Sequence, residues 1–433
     1  MLGPIDLRGI TDPARLAERL PRPVPAAEHP IEAVRAVLAS VRERGDAAVR
    51  EFTERFDGVP VDELALASGE LKQALDDIPP MLRAAMEEAR ANIEAFHRAE
   101  AAPDVEYRHA VAQGLAVRTL RRPVDRAGCY VPGGRAAYPS TVLMTAVPAR
   151  VAGVGEVVLC TPPDRSGRVP VAVLAAAAVA EVDTVFRIGG AQAIAALAYG
   201  TASVPKVDVV VGPGNVYVAL AKREVAAEGQ VAVPAAFAGP SEVVVVADDS
   251  TPAAWAAIDI VVQAEHGPDG LAWLVTWSEG ALAAIGAEVT RAVEGAARRT
   301  EIEATLTANG YAVLVDGPEQ AMAVANLVAP EHLQLMTADP EALVPMVRHA
   351  GAVFLGPWAP ASIGDYLAGP NHVLPTFGSA RFAGALTVDD FTKPMHVVSA
   401  DRDALEHLAP HVEALAMAEG LDAHADSVRL RRG

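Results

Sequence analysis

Strand-like and helix-like segments alternate through most of this 433-residue chain, and this alternation constrains its fold more than any other feature. Short runs rich in β-branched residues are separated by alanine-rich stretches with helical spacing. One series lies between Gly128 and Gly239 and predicts four strands, and a second series runs from 243 to 355. Strands that alternate with helices form parallel sheets covered on both faces. We therefore expect an α/β fold with two Rossmann-like lobes and small helical N- and C-terminal segments.

The second series and the ends of the chain give more specific expectations. In the second series we expect strands at 243–247, 271–276, 312–315, 333–336 and 352–355, with helices at 252–266, 279–299, 318–328 and 340–349. Elsewhere we expect helices at 13–20 and from 31 to 99, a strand near 117–123, an irregular segment at 356–382, a helix near 404–418 and a short tail at 419–432.

The bulk composition is globular and excludes two classes of partner. Hydrophobic residues make up 51% of the chain and charged residues 21%, and the net charge is −19. Because a phosphate backbone or an anionic membrane attracts a basic face, we expect neither nucleic acid nor a membrane as a partner. No export signal is visible. The two cysteines, Cys129 and Cys160, lie beside or within apolar runs, which is typical of reduced core thiols in a cytoplasmic protein.

Three glycine-containing loops follow predicted strands of the first series. They read VPGG from Val131, GGAQA from Gly189 and GPGN from Gly212. Ligands bind at the carboxyl ends of parallel strands, and glycine lets the backbone approach a flat or anionic ligand closely. Gln192 and Asn215 add amide groups there. None of the loops is GxGxxG or a phosphate loop, and each alone could be only a turn. Together they favour a nucleotide or dinucleotide crevice.

The segment 241–269 is the most informative short stretch of the sequence. A valine run is followed by Thr251 and Pro252, which predict a helix start with Thr251 as the N-cap. Gln263 and His266 are three residues apart in the last turn, so they share a helix face. Their amide oxygen and imidazole could bind one cation, although a solvated helix end explains them equally well. Glu265 points off that face and is expected to be structural.

Glu331 and His332 are adjacent in the motif APEHLQL. A carboxylate and an imidazole are side chains that act as general acids and bases in catalysis. Adjacent strand residues point to opposite faces. The two side chains can therefore serve one site only if Pro330 keeps them in a loop before the strand begins. A solvated strand end is the alternative.

Two further acid and histidine pairs lie near the C-terminus. Asp365 and His372 fall in the long irregular segment, and such loops often carry function. Glu419 and His424, in EGLDAH, lie in the tail, where surface residues are more usual. Taken with Gln263 and His266, Asp365 and His424 complete a set of nitrogen and oxygen donors suited to zinc or a neighbouring divalent ion.

The motifs have a family resemblance. From about residue 31 to the C-terminus the chain carries, in order, GCYVPGG, GGAQAIAALAYGT, VGPGN, AGPSEVVVVAD, QAEHGPD, APEHLQL, GDYLAGPNHVLPT, ARFAGALTVDDF and EGLDAH. With these motifs it resembles the histidinol dehydrogenases. The resemblance implies a homodimer that oxidises L-histidinol through the aldehyde to L-histidine, with NAD as the cofactor and zinc as the metal, at the end of histidine biosynthesis.

The resemblance also assigns roles to residues. It implies zinc ligands at Gln263, His266, Asp365 and His424. It implies Glu331 and His332 as the acid/base pair. It implies substrate contacts at Ser241, Gln263, His266, His332, Asp365, His372, Glu419 and His424. It implies NAD contacts at Tyr130, Gln192 and Asn215, and it implies that Glu419 and His424 act in the partner's site.

A division into four parts is expected for a chain of this family. The parts are an N-terminal helical extension (1–25), a discontinuous catalytic and zinc lobe (26–129 and 240–382), an inserted NAD-binding lobe (130–239) and a C-terminal dimerisation segment (383–433). The chain departs from the family pattern at 231–237 and at Pro394 and Met395. These departures leave room for a paralogue with another alcohol substrate.

Two other classes of function account for part of the sequence. A zinc hydrolase with Glu331 as its base would explain the acidic and histidine residues but not the three glycine loops. A non-catalytic nucleotide- or imidazole-binding protein would explain the lobes but not the acid/base pair.

Overall fold

The computed structural model describes residues 1–21, 30–108, 113–134, 136–234, 241–265 and 270–432. These residues contain 13 strands and 16 α-helices. The strands are β1 (Gly3–Asp6), β2 (Val105–Arg108), β3 (Leu115–Pro123), β4 (Arg126–Tyr130), β5 (Glu156–Thr161), β6 (Thr184–Arg187), β7 (Val209–Val211), β8 (Glu242–Ala247), β9 (Leu271–Thr276), β10 (Gly310–Leu314), β11 (His332–Met336), β12 (Ala352–Leu355) and β13 (Thr392–Ala400).

The helices account for most of the remaining described chain. They are α1 (Pro13–Arg19), α2 (Ile31–Arg44), α3 (Asp46–Asp57), α4 (Ser68–Asp77), α5 (Pro80–Glu100), α6 (Pro139–Ala152), α7 (Val171–Val179), α8 (Gly190–Tyr199), α9 (Val216–Ala227), α10 (Ala253–Ala264), α11 (Glu279–Glu294), α12 (Arg299–Asn309), α13 (Pro318–Val328), α14 (Ala361–Tyr366), α15 (Arg402–Ala418) and α16 (Asp422–Arg432). Short 3-10 helices lie at Glu341–Met346, Ser379–Arg381 and Val388–Phe391.

The larger sheet has six parallel strands in the order β1-β10-β9-β8-β11-β12. Every residue of β8, β9 and β11 is buried, which explains why β9 and the valines of β8 form apolar runs rather than an alternating pattern. The expected Rossmann-like lobe is therefore confirmed. The N-terminal extension adds β1 to its edge, a strand that the sequence did not predict.

The smaller sheet has four parallel strands in the order β6-β5-β4-β7. Alternate residues of its strands face two separate cores, since Val157 and Leu159 pack with helices α4 to α7, whereas Val158 and Cys160 pack with α2, α3, α8 and α9. The second Rossmann-like lobe is confirmed. Helices α2 to α5 pack on this sheet, so packing groups them with it, and the domain boundaries given above remain a proposal.

A third, antiparallel sheet ties the C-terminal segment to the rest of the chain. Its order is β13-β3-β2, and β13 pairs with β3 from Thr392 opposite Pro123 to Ala400 opposite Leu115. Pro394 is accommodated because β13 lies at an edge, where a strand tolerates a missing N–H. The predicted short tail is wrong, because residues 422–432 form helix α16, which packs on α15.

Several predicted boundaries in the second series are also wrong. The helix predicted at 279–299 ends at Glu294, because Gly295 follows as its C-cap, and α12 begins separately. The predicted 340–349 helix is only a 3-10 turn that contains Pro345. Pro252, not Thr251, precedes the first residue of α10, and the hydroxyl of Thr251 donates instead to the carbonyl of Met336.

Both cysteines are buried free thiols, as expected. Burial raises the pKa of Cys129 to about 12. Within the described ranges, no helix is both long and apolar enough to cross a membrane.

Gly212 is the residue at which the fold of the smaller sheet is most sensitive to substitution. Its φ is +105°, and a Cβ there would overlap the carbonyl oxygen of Tyr130. We expect Gly212→Ala to lower the free energy of unfolding by about 2–4 kcal/mol, measured by urea denaturation. The control is Gly286→Ala within α11, where a Cβ meets nothing within 4 Å. It should raise stability by about 0.5–1 kcal/mol. Equal stability of Gly212→Ala and the parent would contradict this account.

Candidate active site

The candidate catalytic residues converge at the amino edge of the six-stranded sheet. Neighbouring parallel strands β8 and β11 begin there, and His332 lies opposite Val243 in their register. Helix α10 follows β8 and returns across the sheet, so its last turn brings Gln263 to the same edge. The site is therefore assembled where two strands start and a helix ends, not at the carboxyl edge of this sheet.

His332 is the centre of this group and is 4% exposed. The Nε2 of Gln263 lies 2.7 Å from its Nδ1, and that Nδ1 also lies 3.3 Å from the backbone carbonyl oxygen of Glu242. The other ring nitrogen, Nε2, lies 3.4 Å from the Oδ1 of Asp365, and the Phe354 ring stacks beside the imidazole. Burial by itself lowers the pKa of His332, but the charge of Glu331 and the contact with Asp365 outweigh it and raise the pKa to about 10.

Glu331 and His332 meet at one site, as catalysis by the pair requires. Glu331 precedes β11 and His332 is its first residue, so the strand alternation does not separate them. The Oε2 of Glu331 lies 3.5 Å from the Nδ1 of His332 and accepts a hydrogen bond from the backbone N–H of Glu242 at 3.0 Å. The two side chains therefore meet although His332 already belongs to the strand, so the expectation that both must precede the strand is wrong.

Glu242 belongs to this group and was missed in the sequence. It is 2% exposed, and its Oε1 accepts from the N–H of Phe377 at 3.1 Å. Burial and the neighbouring charge of Glu331 raise the pKa of Glu242 to about 8. A carboxylate directly ahead of a buried valine run was the available signal, since buried acids are rare without a partner or a function.

Asp365 and His372 connect the site to the smaller lobe. Asp365 lies in helix α14 rather than in an irregular loop, which corrects the expectation for this segment. His372 donates from Nδ1 to the carbonyl of Asp365 at 2.8 Å, and its Nε2 lies 3.5 Å from the hydroxyl of Thr141 in α6. Burial lowers the pKa of His372. Because α6 starts at the carboxyl edge of β4, this edge of the smaller sheet faces the amino edge of the larger one.

The expected metal ligands are brought together only in part. Gln263 and Asp365 flank His332, and the Oε1 of Gln263 is buried without a hydrogen-bond donor among the described residues. His266 lies outside the described residues. No cluster of three or more His, Cys, Asp or Glu side chains within those ranges is arranged to hold a metal. The orphaned amide oxygen nevertheless fits a zinc ligand.

Glu419 and His424 do not reach this site within the chain. Glu419 is the C-cap of α15 and His424 lies in α16, and both are exposed. An ion pair of 2.9 Å between Arg429 and Glu413 links these two helices. Their expected action in a partner subunit remains a prediction.

The expected cofactor residues lie at the carboxyl edge of the smaller sheet. The strand order reverses between β4 and β7, and this is where such sheets bind ligands. Tyr130 ends β4, and its hydroxyl accepts from the N–H of Gly190 at 3.1 Å. Gln192 is fully buried, with neither amide atom hydrogen-bonded within the described chain. Asn215 caps α9 by accepting from two backbone N–H groups at 3.1 Å.

Lys222 is a second residue that the sequence did not reveal. It is 1% exposed, and its ammonium group donates to the carbonyl of Gly212 in the GPGN loop. None of the described carboxylates forms an ion pair with it. Burial therefore lowers the pKa of Lys222 to about 8. Lys222 lies ten residues after Gly212 in an alanine-rich helix, and nothing in that local pattern predicts the contact between them.

A buried acid/base pair that faces the ligand edge of a Rossmann-like sheet defines a two-lobed oxidoreductase. A family model for histidinol dehydrogenase matches residues 20–432. The chain belongs to the histidinol dehydrogenase family.

Individual relatives match over nearly the whole chain. The histidinol dehydrogenase of Parasynechococcus marenigrum is 51% identical over 395 residues, which cover 91% of this chain and 89% of that protein. The histidinol dehydrogenase of Pseudomonas putida is 47% identical over 398 residues, which cover 91% of this chain and 89% of that protein. The crystal structure of histidinol dehydrogenase from Elizabethkingia anophelis has a TM-score of 0.93 and 32% identity, covering 99% of this chain and 98% of that one.

Lys222→Met should change how stability depends on pH. Between pH 8 and about 10.5 the unfolded chain holds a proton that the folded Lys222 has released, so wild-type stability rises with pH across this window. Relative to the variant, the wild type should gain about 2 kcal/mol between pH 7 and pH 9.5, measured by urea denaturation. The exposed Lys206 provides the control Lys206→Met, which should show no such trend. A pH-independent difference for Lys222→Met would show that the buried amine does not titrate as argued.

Proposed function

We propose that this chain is a zinc- and NAD-dependent enzyme that oxidises L-histidinol through L-histidinaldehyde to L-histidine with two NAD+, the final steps of histidine biosynthesis. Family membership supports the substrate. The observation that carries the proposal is the group around His332, in which Gln263, Glu331 and Asp365 surround one buried imidazole. An acid/base pair next to an unpaired amide oxygen suits proton removal from an alcohol whose other groups a metal ion would orient.

Gln263, His266, Asp365 and the partner's His424 would hold zinc. The bound ion would act as a template that orients the imidazole and amine of the substrate. Gln263 is suited to this role because its Oε1 is buried and unpaired within the described part of the chain, while its Nε2 is fixed on His332. The same hydrogen bond orients the imidazole for proton transfer.

His332 and Glu331 would divide the two oxidation steps between them. His332 would take the proton of the alcohol as hydride leaves the substrate carbon, in the neutral form that a neighbouring zinc ion would favour by lowering the pKa of the imidazole. Glu331 then takes a proton from the water that attacks the aldehyde, and a second hydride departure yields the carboxylate. Glu331 is held for this task by the backbone N–H of Glu242. Neither cysteine takes part, since burial raises the pKa of both thiols and makes a thiolate unfavourable.

Tyr130, Gln192 and Asn215 would contact NAD. Their place at the strand-order reversal of the smaller sheet supports this, as do the unpaired amide atoms of Gln192 within the described chain. The contact between Thr141 and His372 joins this edge to the acid/base pair.

Substrate binding and assembly complete the proposal. The substrate would contact Ser241, Gln263, His266, His332, Asp365, His372, Glu419 and His424. Because Glu419 and His424 lie exposed on helices that do not reach the site of their own chain, we place them in the partner's site of a homodimer. The enzyme would act in the cytoplasm, where its two thiols stay reduced.

The proposed function is tested by adding L-histidinol and NAD+ to the zinc-loaded protein and following NADH by absorbance. We expect two NADH per histidinol consumed and histidine as the product. Glu331→Gln should slow the second half-reaction on the order of a hundredfold, so that a single turnover yields one NADH and the aldehyde. No NADH from folded, zinc-loaded wild type would refute the dehydrogenase, and hydrolysis of an amide substrate would favour a zinc hydrolase.

The shared site is tested by mixing subunits. His332→Ala and His424→Ala should each be inactive as homodimers. Random mixing makes half of the dimers mixed, and each mixed dimer has one intact site, so we expect about a quarter of wild-type activity. Mixed dimers without activity, formed from folded parents whose exchange is verified by mass spectrometry, would show that His424 does not act in the partner's site.

A further inference from the structure

Two carboxyl groups share the buried start of strands β8 and β11, and their surroundings differ. The Oε2 of Glu331 accepts from the backbone N–H of Glu242 at 3.0 Å and lies 3.5 Å from the imidazole of His332. The Oε1 of Glu242 accepts from the N–H of Phe377 at 3.1 Å, and the backbone N–H groups of Glu331 and Gly378 lie near this carboxyl. Its Oε2 is buried and has no hydrogen-bond partner among the described residues.

This difference decides which carboxyl can bear a charge. An ionised oxygen buried without a donor costs several kcal/mol, whereas a protonated one costs far less. Glu331 has a backbone donor and an imidazole beside it. When two neighbouring carboxyl groups cannot both ionise, the one beside the imidazole, with no buried unpartnered oxygen, keeps the charge.

The charged groups that face Glu242 do not change the conclusion that Glu331, rather than Glu242, carries the negative charge. Glu331 and His332 face it from β11, and Asp365 lies beyond the imidazole. The N–H groups of Phe377 and Gly378 are the favourable dipoles. No Lys or Arg forms an ion pair with Glu242 in the described ranges.

We propose that Glu242 is the proton-holding member of a carboxyl pair with Glu331, so that Glu331 remains the carboxylate that accepts the proton from water. The assignment of that step to Glu331 rests on the proposed function, but the protonation of Glu242 does not. Glu242 is a positioning residue, because it acts on Glu331 and not on the substrate. The raised pKa of Glu242, about 8, agrees with this geometry.

The side chain of Glu242 also holds the turn at Phe377 and Gly378 in place. Phe377 has φ +54° and Gly378 has φ +70°, a conformation that costs a non-glycine residue about 1 kcal/mol or more. The hydrogen bond from Phe377 to the Oε1 of Glu242 offsets that strain. Glutamine keeps this acceptor and supplies N–H donors where the proton would sit, so Glu242→Gln mimics the protonated form.

The experiment is infrared difference spectroscopy on zinc-loaded wild type and on two variants. We expect a protonated-carboxyl band at pH 6.5 that is lost as the pH rises through about 8. It should be absent from Glu242→Gln and retained in Asp390→Asn, which removes another half-buried carboxyl that accepts from Thr387. At pH 7, Glu242→Gln should keep kcat within about threefold of the wild-type value, whereas Glu242→Leu, which removes the acceptor, should lose more than tenfold.

Several results would overturn the proposal. The absence of a protonated-carboxyl band in wild type at pH 6.5 would do so without any variant. A band that persists in Glu242→Gln assigns the proton elsewhere. Loss of activity in folded Glu242→Gln at pH 7 would mean that the charge of Glu242 is needed. A wild-type protein that does not oxidise histidinol would refute the proposed function but leave the spectroscopic result intact.

Discussion

The register between strands β8 and β11 is the constraint on which the site depends. Parallel pairing places the first residues of both strands side by side, and His332 lies opposite Val243. A crossover helix after β8 must return to this same edge, which brings Gln263 within 2.7 Å of His332. A shift of one residue in β11 would turn His332 to the other face of the sheet. The strand register alone therefore places Glu331 and His332 at this edge, independently of their side-chain contacts.

The second constraint is the way the two sheets face each other. Parallel sheets bind ligands at their carboxyl edge, and the smaller sheet follows this rule with Tyr130 and Asn215. The larger sheet instead uses its amino edge for the acid/base pair. The contact between Thr141 and His372 joins the two edges. In the proposed function, the cofactor and substrate regions thus belong to different lobes.

The sequence predicted what local pattern controls and missed what tertiary packing controls. Valine runs and alanine-rich helices gave both sheets, and the motifs identified Glu331, His332 and Gln263. The burial of Glu242 and Lys222 could not be predicted, because only distant segments decide whether a charged side chain is covered. Helix α16 was missed because the tail is short and mostly polar, so its stability comes from packing on α15. His424 lies exposed in α16, so the role proposed for it requires a second chain.

The electrostatics of the site explain why it needs more than one folded chain provides. Glu242 and Glu331 are buried within one hydrogen bond of each other, and neither forms an ion pair with Lys or Arg in the described residues. Burial of negative charge without a cation is costly, so such a site is stabilised by protons or a metal ion. A proton on Glu242 removes one charge, and a divalent ion at Gln263 would offset those that remain. The same charges would then contribute to the affinity for the metal, because a bound cation offsets the repulsion between carboxylates that folding brings together.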